Sequence, residues 1–348
     1  MGMPAGDVSC VPRMAIALSA WLLIESITAL ALAGNGPHHA ENGSATLVLE
    51  NDIFGRQSLD RDYTNGLELS WLRSPAREPG WSGPLVRLVT GSDDKVETRL
   101  HFAVGQQVYT PEDIVERDPV FGDRPYAGLL YASAGAIINA NDERIDQVQL
   151  LLGVVGPASQ ADSLQVGYHR LIRARIPAGW SNQISNRPAG EVSWRRTHLI
   201  ALAGKVGAPG FGVDFAPHYG ARAGNLQSSI SIGGAVRIGK NVPVEAGAAR
   251  LKPSLPGAGY FKPSAYSGLY AYAGVEGRYV PRNLFLDEPG RNGVRVTRRD
   301  FDGDALIGIA IYRGPARLSY THYFRTVQYN EQNRQGSEYG SLALTVNF

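Results

Sequence analysis

The chain is poor in sulfur, with one Cys and three Met in 348 residues. The lone thiol, Cys10, cannot form an internal disulfide or a thiolate metal cluster. Charge of one sign is also missing, since 34 Lys and Arg face 32 Asp and Glu for a net +2. Nucleic acid, which is held by a concentrated basic face, is therefore not an expected partner. After the N-terminal segment no apolar run is long enough for a membrane-crossing helix, which excludes a helical bundle. Disorder is excluded as well, because 43% of the residues are hydrophobic.

At the N-terminus, Arg13 precedes the apolar run 14–24, and Ala31-Leu32-Ala33 supplies the small-x-small pattern cut by signal peptidase before Gly34. Residues 1–33 are read as a signal peptide, so the chain is exported and Cys10 is lost. Glu25 inside the apolar stretch leaves a short anchor as the alternative. Residues 34–43, with His38 and His39, read as a flexible segment ahead of one domain, 44–348.

What the sequence has in abundance is alternation of period two. Tyr63, Leu67, Leu69 and Trp71 alternate with Thr64, Gly66, Glu68 and Ser70, and Leu100, Phe102, Val104, Gln106 and Val108 with smaller or polar residues. Leu47, Leu49 and Asn51 alternate in the same way with Thr46, Val48 and Glu50. The pattern recurs near 126–138, 143–155, 190–205, 211–223, 228–239, 267–281, 301–313, 315–327 and 337–348, about twelve strands in all.

A soluble β-sandwich and a membrane barrel both alternate, with opposite faces buried. Three features favour an all-β, antiparallel transmembrane barrel. Small residues crowd one face, as in Ala132-Ser133-Ala134-Gly135-Ala136 and residues 229–235, which suits a narrow lumen. Trp71, Tyr109, Tyr126, Tyr131, Trp194, Tyr279, Tyr312, Tyr320 and Tyr323 lie near strand ends, as interfacial girdles would. The chain ends on an alternating strand closed by Phe348, similar to the C-terminal signal of outer-membrane barrels. A periplasmic sandwich is the alternative. Long connections at 51–62, 73–97, 109–125, 156–189, 240–266 and 282–300 are expected to share the external rim.

One helix is expected, over 160–173, with Leu164, Tyr168 and Leu171/Ile172 on an apolar side and Gln165 and His169, four apart, on another. His is the simplest proton acceptor near neutral pH, and His169 lies on this helix rather than in a strand. A second polar cluster joins Glu50-Asn51-Asp52 to Asp60-Arg61-Asp62-Tyr63-Thr64-Asn65-Gly66. Its oxygens suit a hard cation such as Ca²⁺, or else serve as polar turn residues.

These segments, together with Gln107-Val108-Tyr109-Thr110-Pro111, Gly122-Asp123-Arg124-Pro125-Tyr126-Ala127-Gly128, Gly153-Val154-Val155-Gly156-Pro157, Gln165-(x)3-His169-Arg170, Gly179-Trp180-Ser181-Asn182-Gln183 and Gly224-Asn225-Leu226, occur in an ordered series. The series resembles the outer-membrane lipid A 3'-O-deacylases, the LpxR-like proteins, over most of residues 44–348. The resemblance implies a twelve-stranded barrel in the bacterial outer membrane that hydrolyses an acyl ester of lipid A and depends on Ca²⁺; a monomer is expected. It carries site roles onto Asn51 and Asp52, also as metal ligands, and onto Thr64, Gln165 and His169. His169 would take a proton from the attacking water, and a cation near Asn51 and Asp52 would stabilise the oxyanion.

Two positions depart from the family member compared most closely. Arg175 stands where that protein has an acid six residues after the His, and a basic residue in the loop after Tyr-x-Pro has no equivalent among Glu112, Asp113, Glu116 and Arg117. Arg173 and Arg175 are expected to face lipid A phosphates instead. The alternatives are a non-enzymatic barrel, either a pore or a lipid binder, and a phospholipase A-type barrel. The latter would need a His-x-Ser-Asn-Gly strand motif, and no His here has Ser two places on.

Overall fold

The computed structural model describes residues 43–54, 61–73, 82–90, 96–247, 259–333 and 336–348. The signal-peptide reading, residues 34–42 and Asp60 lie outside the described residues. Twelve long strands form one antiparallel sheet: β1 Gly43–Asn51, β2 Asp62–Arg73, β3 Glu97–Thr110, β4 Ala127–Ala140, β5 Arg144–Val155, β6 Arg187–His198, β7 Phe211–Gly224, β8 Gln227–Lys240, β9 Ser267–Asn283, β10 Phe301–Arg313, β11 Ala316–Arg325 and β12 Ser337–Asn347. Each pairs with its sequence neighbour, and β1 pairs with β12 from Ser44↔Asn347 to Asn51↔Gly340, so the sheet is a closed barrel. A short strand, Ile200–Ala203, continues β6 past Leu199 and pairs with β7. Among the described residues, three α-helices accompany the barrel: α1 Ser82–Thr90, α2 Ala161–Ile172 and α3 Leu284–Asp287.

The alternation now has a direction. On β2, Leu67, Leu69 and Trp71 are exposed while Glu68 and Ser70 are buried; on β10, Ile307, Ile309 and Ile311 are exposed while Asp304 is buried. The apolar face is outside and the polar face inside, as in a membrane barrel and opposite to a sandwich. No described helix is long and apolar enough to cross a membrane; the strands supply the apolar band.

Strand direction corrects the expected sharing of one rim by the long connections. Those after β1, β3, β5 and β9 leave the sheet at one rim, as does the connection after β11. Those after β2 and β8 lie at the opposite rim, with the chain ends. Period-two patterning fixes where a strand runs, not which way round the count of connections has gone.

The girdle reading of the aromatics is corrected as well. Trp71 and Tyr279 are exposed on the outer face, but Tyr109, Tyr126, Tyr131, Tyr312 and Tyr323 are buried. Tyr109, Tyr131 and Tyr323 join Tyr63 and Tyr339 in an inward cluster, capped by Leu284 and Phe285 of α3; the Phe285 ring lies 4.1 Å from that of Tyr109. A β-bulge between Tyr63 and Asn65 turns Tyr63 inward, out of phase with Leu67. At the opposite end, Val244, Ala246 and Tyr260 pack against inward residues such as Leu72, Ile137 and Ile145. Both ends of the lumen are thus filled.

Between the two caps the lumen is held by ion pairs. Arg278 donates to Glu276 at 2.9 Å and to Asp302 and Asp304 at 2.7 Å each, and Arg325 donates to Asp304 at 2.7 Å. Glu276 also receives Arg195, and His218 at 2.9 Å. Nearer the chain ends, Glu245 of the inner segment is ion-paired with Arg237 at 3.2 Å and Arg317 at 2.9 Å and accepts a hydrogen bond from the Tyr270 hydroxyl at 2.8 Å, which ties the cap to the wall. Small residues make the room: a Cβ on Gly233 would meet His218 Nε2 at 2.6 Å.

Removing one partner from such a buried set leaves uncompensated charge. Asp304→Ala, which removes the carboxylate paired with Arg325 and one of the three paired with Arg278, is expected to destabilise the barrel by about 3–5 kcal/mol. The effect is read as a lower urea midpoint for loss of heat-modifiable gel migration; an unchanged midpoint would show that the network does not stabilise the fold.

Candidate active site

The far rim carries the polar motifs, and the sheet register places several of them on the outer face of the wall. Asn51 shares the outward phase of Leu47 and Leu49, and it pairs with Asn65, which pairs with Val108. At about 4.8 Å per strand, this row spans about 10 Å of wall. Thr64, released from phase by the bulge, hydrogen-bonds through Oγ1 to Thr110 Oγ1 at 2.7 Å, and both are buried. Glu50 separates from its neighbours: it points into the lumen and takes no part in this patch.

Helix α2 docks on the same wall beside Val108. Gly156 donates its N–H to Gly128 O at 3.0 Å, Ser159 Oγ donates to Gly156 O at 2.6 Å, and Gln106 Nε2 donates to Ser159 O at 2.6 Å. Val108, Tyr126, Ala161 and Trp180 then form an apolar cluster between wall, helix and the following segment. Gly128 permits the approach, since a Cβ there would lie 2.2 Å from both Ala161 Cβ and Ser159 Oγ. Asp162 in the first turn and Arg170 in the last complement the helix dipole.

The helix lies where it was expected, and the structure adds its facing. Ala161, Gln165, His169 and Ile172 are the buried residues, while Leu164 and Leu171 are exposed. The side that carries Gln165 and His169 is covered, and the two leucines point away from it. An amphipathic helix at a membrane rim can turn its leucines to lipid, an option that a soluble core does not offer.

Gln165 and His169 are fixed by different neighbours. Trp180 Nε1 donates to Gln165 Oε1 at 3.0 Å, and the indole packs on Tyr126 with ring centres 4.9 Å apart. Arg173 ends the helix in the left-handed region at φ 56°, and Ala174 N–H closes the last turn on His169 O at 2.9 Å. That reversal brings Arg175 O to 2.5 Å from His169 Nδ1. A carbonyl only accepts, so Nδ1 is the nitrogen that carries a proton in this contact.

Asp52 and Asn51 are oriented by main-chain donors: Arg61 N–H to Asp52 Oδ2 at 2.9 Å and Ile53 N–H to Asn51 Oδ1 at 2.7 Å. Among the described residues no group of three or more His, Cys, Asp or Glu side chains is disposed to hold a metal. Arg173 and Arg175 are both exposed, and Arg175 pairs with Asp113 at 3.5 Å. The loop carrying Asp113 is braced from below by Tyr329, whose hydroxyl donates to Asp123 at 2.6 Å and Asp62 at 3.2 Å; burial holds the Asp123 carboxyl above its ordinary pKa.

A family model described as "Outer membrane protein LpxR" matches residues 16–348. The chain belongs to the LpxR family. LpxR from Salmonella typhimurium is 21% identical and superposes with a TM-score of 0.72 over 88% of this chain and all of that one, which shows a shared fold. The β domain of the Bordetella autotransporter BrkA (TM-score 0.42, 10% identity, 89% of this chain and all of that one) and the KdgM porin (TM-score 0.36, 8% identity, 88% of this chain and 99% of that one) are too distant to carry an argument. No curated protein matches. As an LpxR-family barrel, the protein resides in the bacterial outer membrane, and its far rim is the external one.

The structure thus brings Gln165 and His169 onto one covered helix face and places Thr64 and Asn51 on the adjoining wall, with Asp52 following Asn51. Sequence reasoning missed Trp180, Thr110 and Gly128 as parts of this assembly. Their only signal was membership in the ordered motifs, because each acts through a contact distant in sequence. Gly128→Val is expected to leave the barrel assembled yet push α2 from the wall, speeding protease cleavage within 156–186 about tenfold. Unchanged cleavage would mean that Gly128 does not set the docking.

Proposed function

We propose that this LpxR-family barrel is a lipid A deacylase that hydrolyses an acyl ester at the outer-leaflet surface, with His169 as general base. The observation that carries the reading is the geometry of His169: buried, on a helix docked against the outer wall, with its ring oriented by the Nδ1 contact to Arg175 O, so that Nε2 is the nitrogen assigned as base. Neither filled end of the lumen suits a pore, and an outward-facing site suits a substrate that arrives from the lipid.

In this reading water attacks the acyl carbonyl as His169 Nε2 takes its proton. The tetrahedral adduct then expels the sugar oxygen, which recovers that proton, so ester and water become fatty acid and alcohol. Thr64, held by Thr110, orients the water or a neighbouring ligand. Arg173 and Arg175 meet the lipid A phosphates. The Arg175–Asp113 pair is exposed on both sides and contributes little stability, so a phosphate can replace the carboxylate.

The hard oxygens of Asn51 and Asp52 fit a Ca²⁺ ion in kind. An amide oxygen and a carboxylate are the kinds of donor such an ion takes. When bound, such an ion would supply positive charge for an oxyanion. With a single carboxylate the site should be weak, about 10⁻⁴–10⁻³ M.

His169→Ala should assemble normally and lose about a thousandfold in rate, within the range for a positioned proton-transfer group. The check is mass spectrometry of lipid A and released fatty acid. A folded variant that keeps the parent rate would remove His169 from this role. Chelation should abolish release, Ca²⁺ should restore it, and Asp52→Ala should raise the Ca²⁺ needed by at least about tenfold. Activity that persists in excess chelator would rule the cation out.

A further inference from the structure

The amide of Gln165 has a split environment. Its oxygen accepts from Trp180 Nε1 at 3.0 Å, whereas its Nε2, buried with the rest of the side chain, has no hydrogen-bond partner among the described residues. The orientation is not arbitrary: an indole N–H can only donate, so it must face the amide oxygen, and the NH2 group is turned the other way. Two unspent donors therefore sit on the helix face that carries His169, one turn before it. Buried donors are almost always satisfied, and one left open on the helix face that carries His169 points to an acceptor that the described residues do not supply.

We infer that Gln165 Nε2 donates to the acyl carbonyl oxygen as it becomes an oxyanion, and that Trp180 is the positioning residue that holds the amide in that orientation. The inference rests on the deacylase reading above and adds to it the protein's own oxyanion donor. Its logic is electrostatic preorganisation: a donor fixed before reaction needs no reorganisation when charge develops. The apolar cluster of Val108, Tyr126 and Ala161 around Trp180 keeps water from competing for the indole N–H. A residue retained only to accept from Trp180 would need an oxygen and no NH2, so Glu would serve as well as Gln; an oxyanion donor cannot be replaced by Glu.

The test compares Gln165→Ala, Gln165→Glu, Trp180→Phe and the double variant Trp180→Phe/Gln165→Ala. The full-length barrel is used in mixed micelles with lipid A, assembly is checked by heat-modifiable migration, and kcat and KM are measured separately. Both Gln165 variants should lose about a hundredfold in kcat, the scale for one oxyanion donor, with KM changed by less than about threefold. Trp180→Phe keeps the ring but removes the N–H, and should lose about tenfold in kcat. In the double variant Trp180→Phe should add nothing to Gln165→Ala, because a positioning residue has no effect once the group it positions is gone. A purely structural Trp180 would instead multiply its loss onto that of Gln165→Ala, which overturns the inference. So would Gln165→Glu with the parent kcat, an outcome that remains decisive if Trp180→Phe fails to assemble. Absence of acyl release by the parent protein would remove the deacylase reading itself, and is distinguishable from failure confined to the variants.

Discussion

Closure of the sheet between β1 and β12 governs what every other part of the chain is allowed to do. In a bilayer no water satisfies an open strand edge, so the seam from Ser44↔Asn347 to Asn51↔Gly340 is a condition for spanning at all. Once the sheet is closed, the outside must be apolar and the inside is cut off from lipid, which inverts the polarity of an ordinary domain. The polar inward faces then have two outcomes: a water-filled channel or a packed interior. Here Arg278, Arg325, Arg195 and their carboxylates, with caps built around Phe285 and Tyr260, give the packed interior.

A filled lumen displaces the chemistry to the outside. The wall of β1 to β4 is rigid because its strands are paired on both sides, and it offers α2 a flat platform with one gap, at Gly128. Docking through Ser159 and Ala161 buries the polar stripe of the helix and leaves Leu164 and Leu171 facing outward. The same arrangement that would be frustrated in water is consistent at a lipid surface, where an apolar helix face has somewhere to go. Sequestered polar groups on a lipid-facing wall are what hydrolysis of a membrane-embedded ester requires.

Strand positions were legible because period two is imposed at each residue by the barrel wall; the readings near 211–223 and 301–313 agree with β7 and β10 almost to the residue. Facing was legible only where both environments were implied, as on β2. It was not legible for α2, whose apolar stripe carries no mark of whether protein or lipid covers it. Nor was it legible for Tyr109 and Tyr323, which read like girdle residues but fill the lumen. The site residues were visible chiefly as ordered motifs resembling a family. Nothing local in Gly179-Trp180-Ser181 discloses that its indole reaches back to Gln165, because that contact exists only after α2 has reversed at Arg173.

The departure at residue 175 then acquires a physical meaning. His169 is oriented by the main-chain carbonyl of Arg175, which any residue type supplies, so exchange of an acid for Arg leaves that contact intact. What the exchange alters is charge. The Arg175 side chain adds a cation beside Asp113 at the entrance and contributes no oxygen to a metal. On the deacylase reading proposed above, stabilisation of a developing oxyanion then falls on fixed donors as well as on any cation. Gln165, whose amide oxygen is held by Trp180, is the donor which that reading assigns to the task.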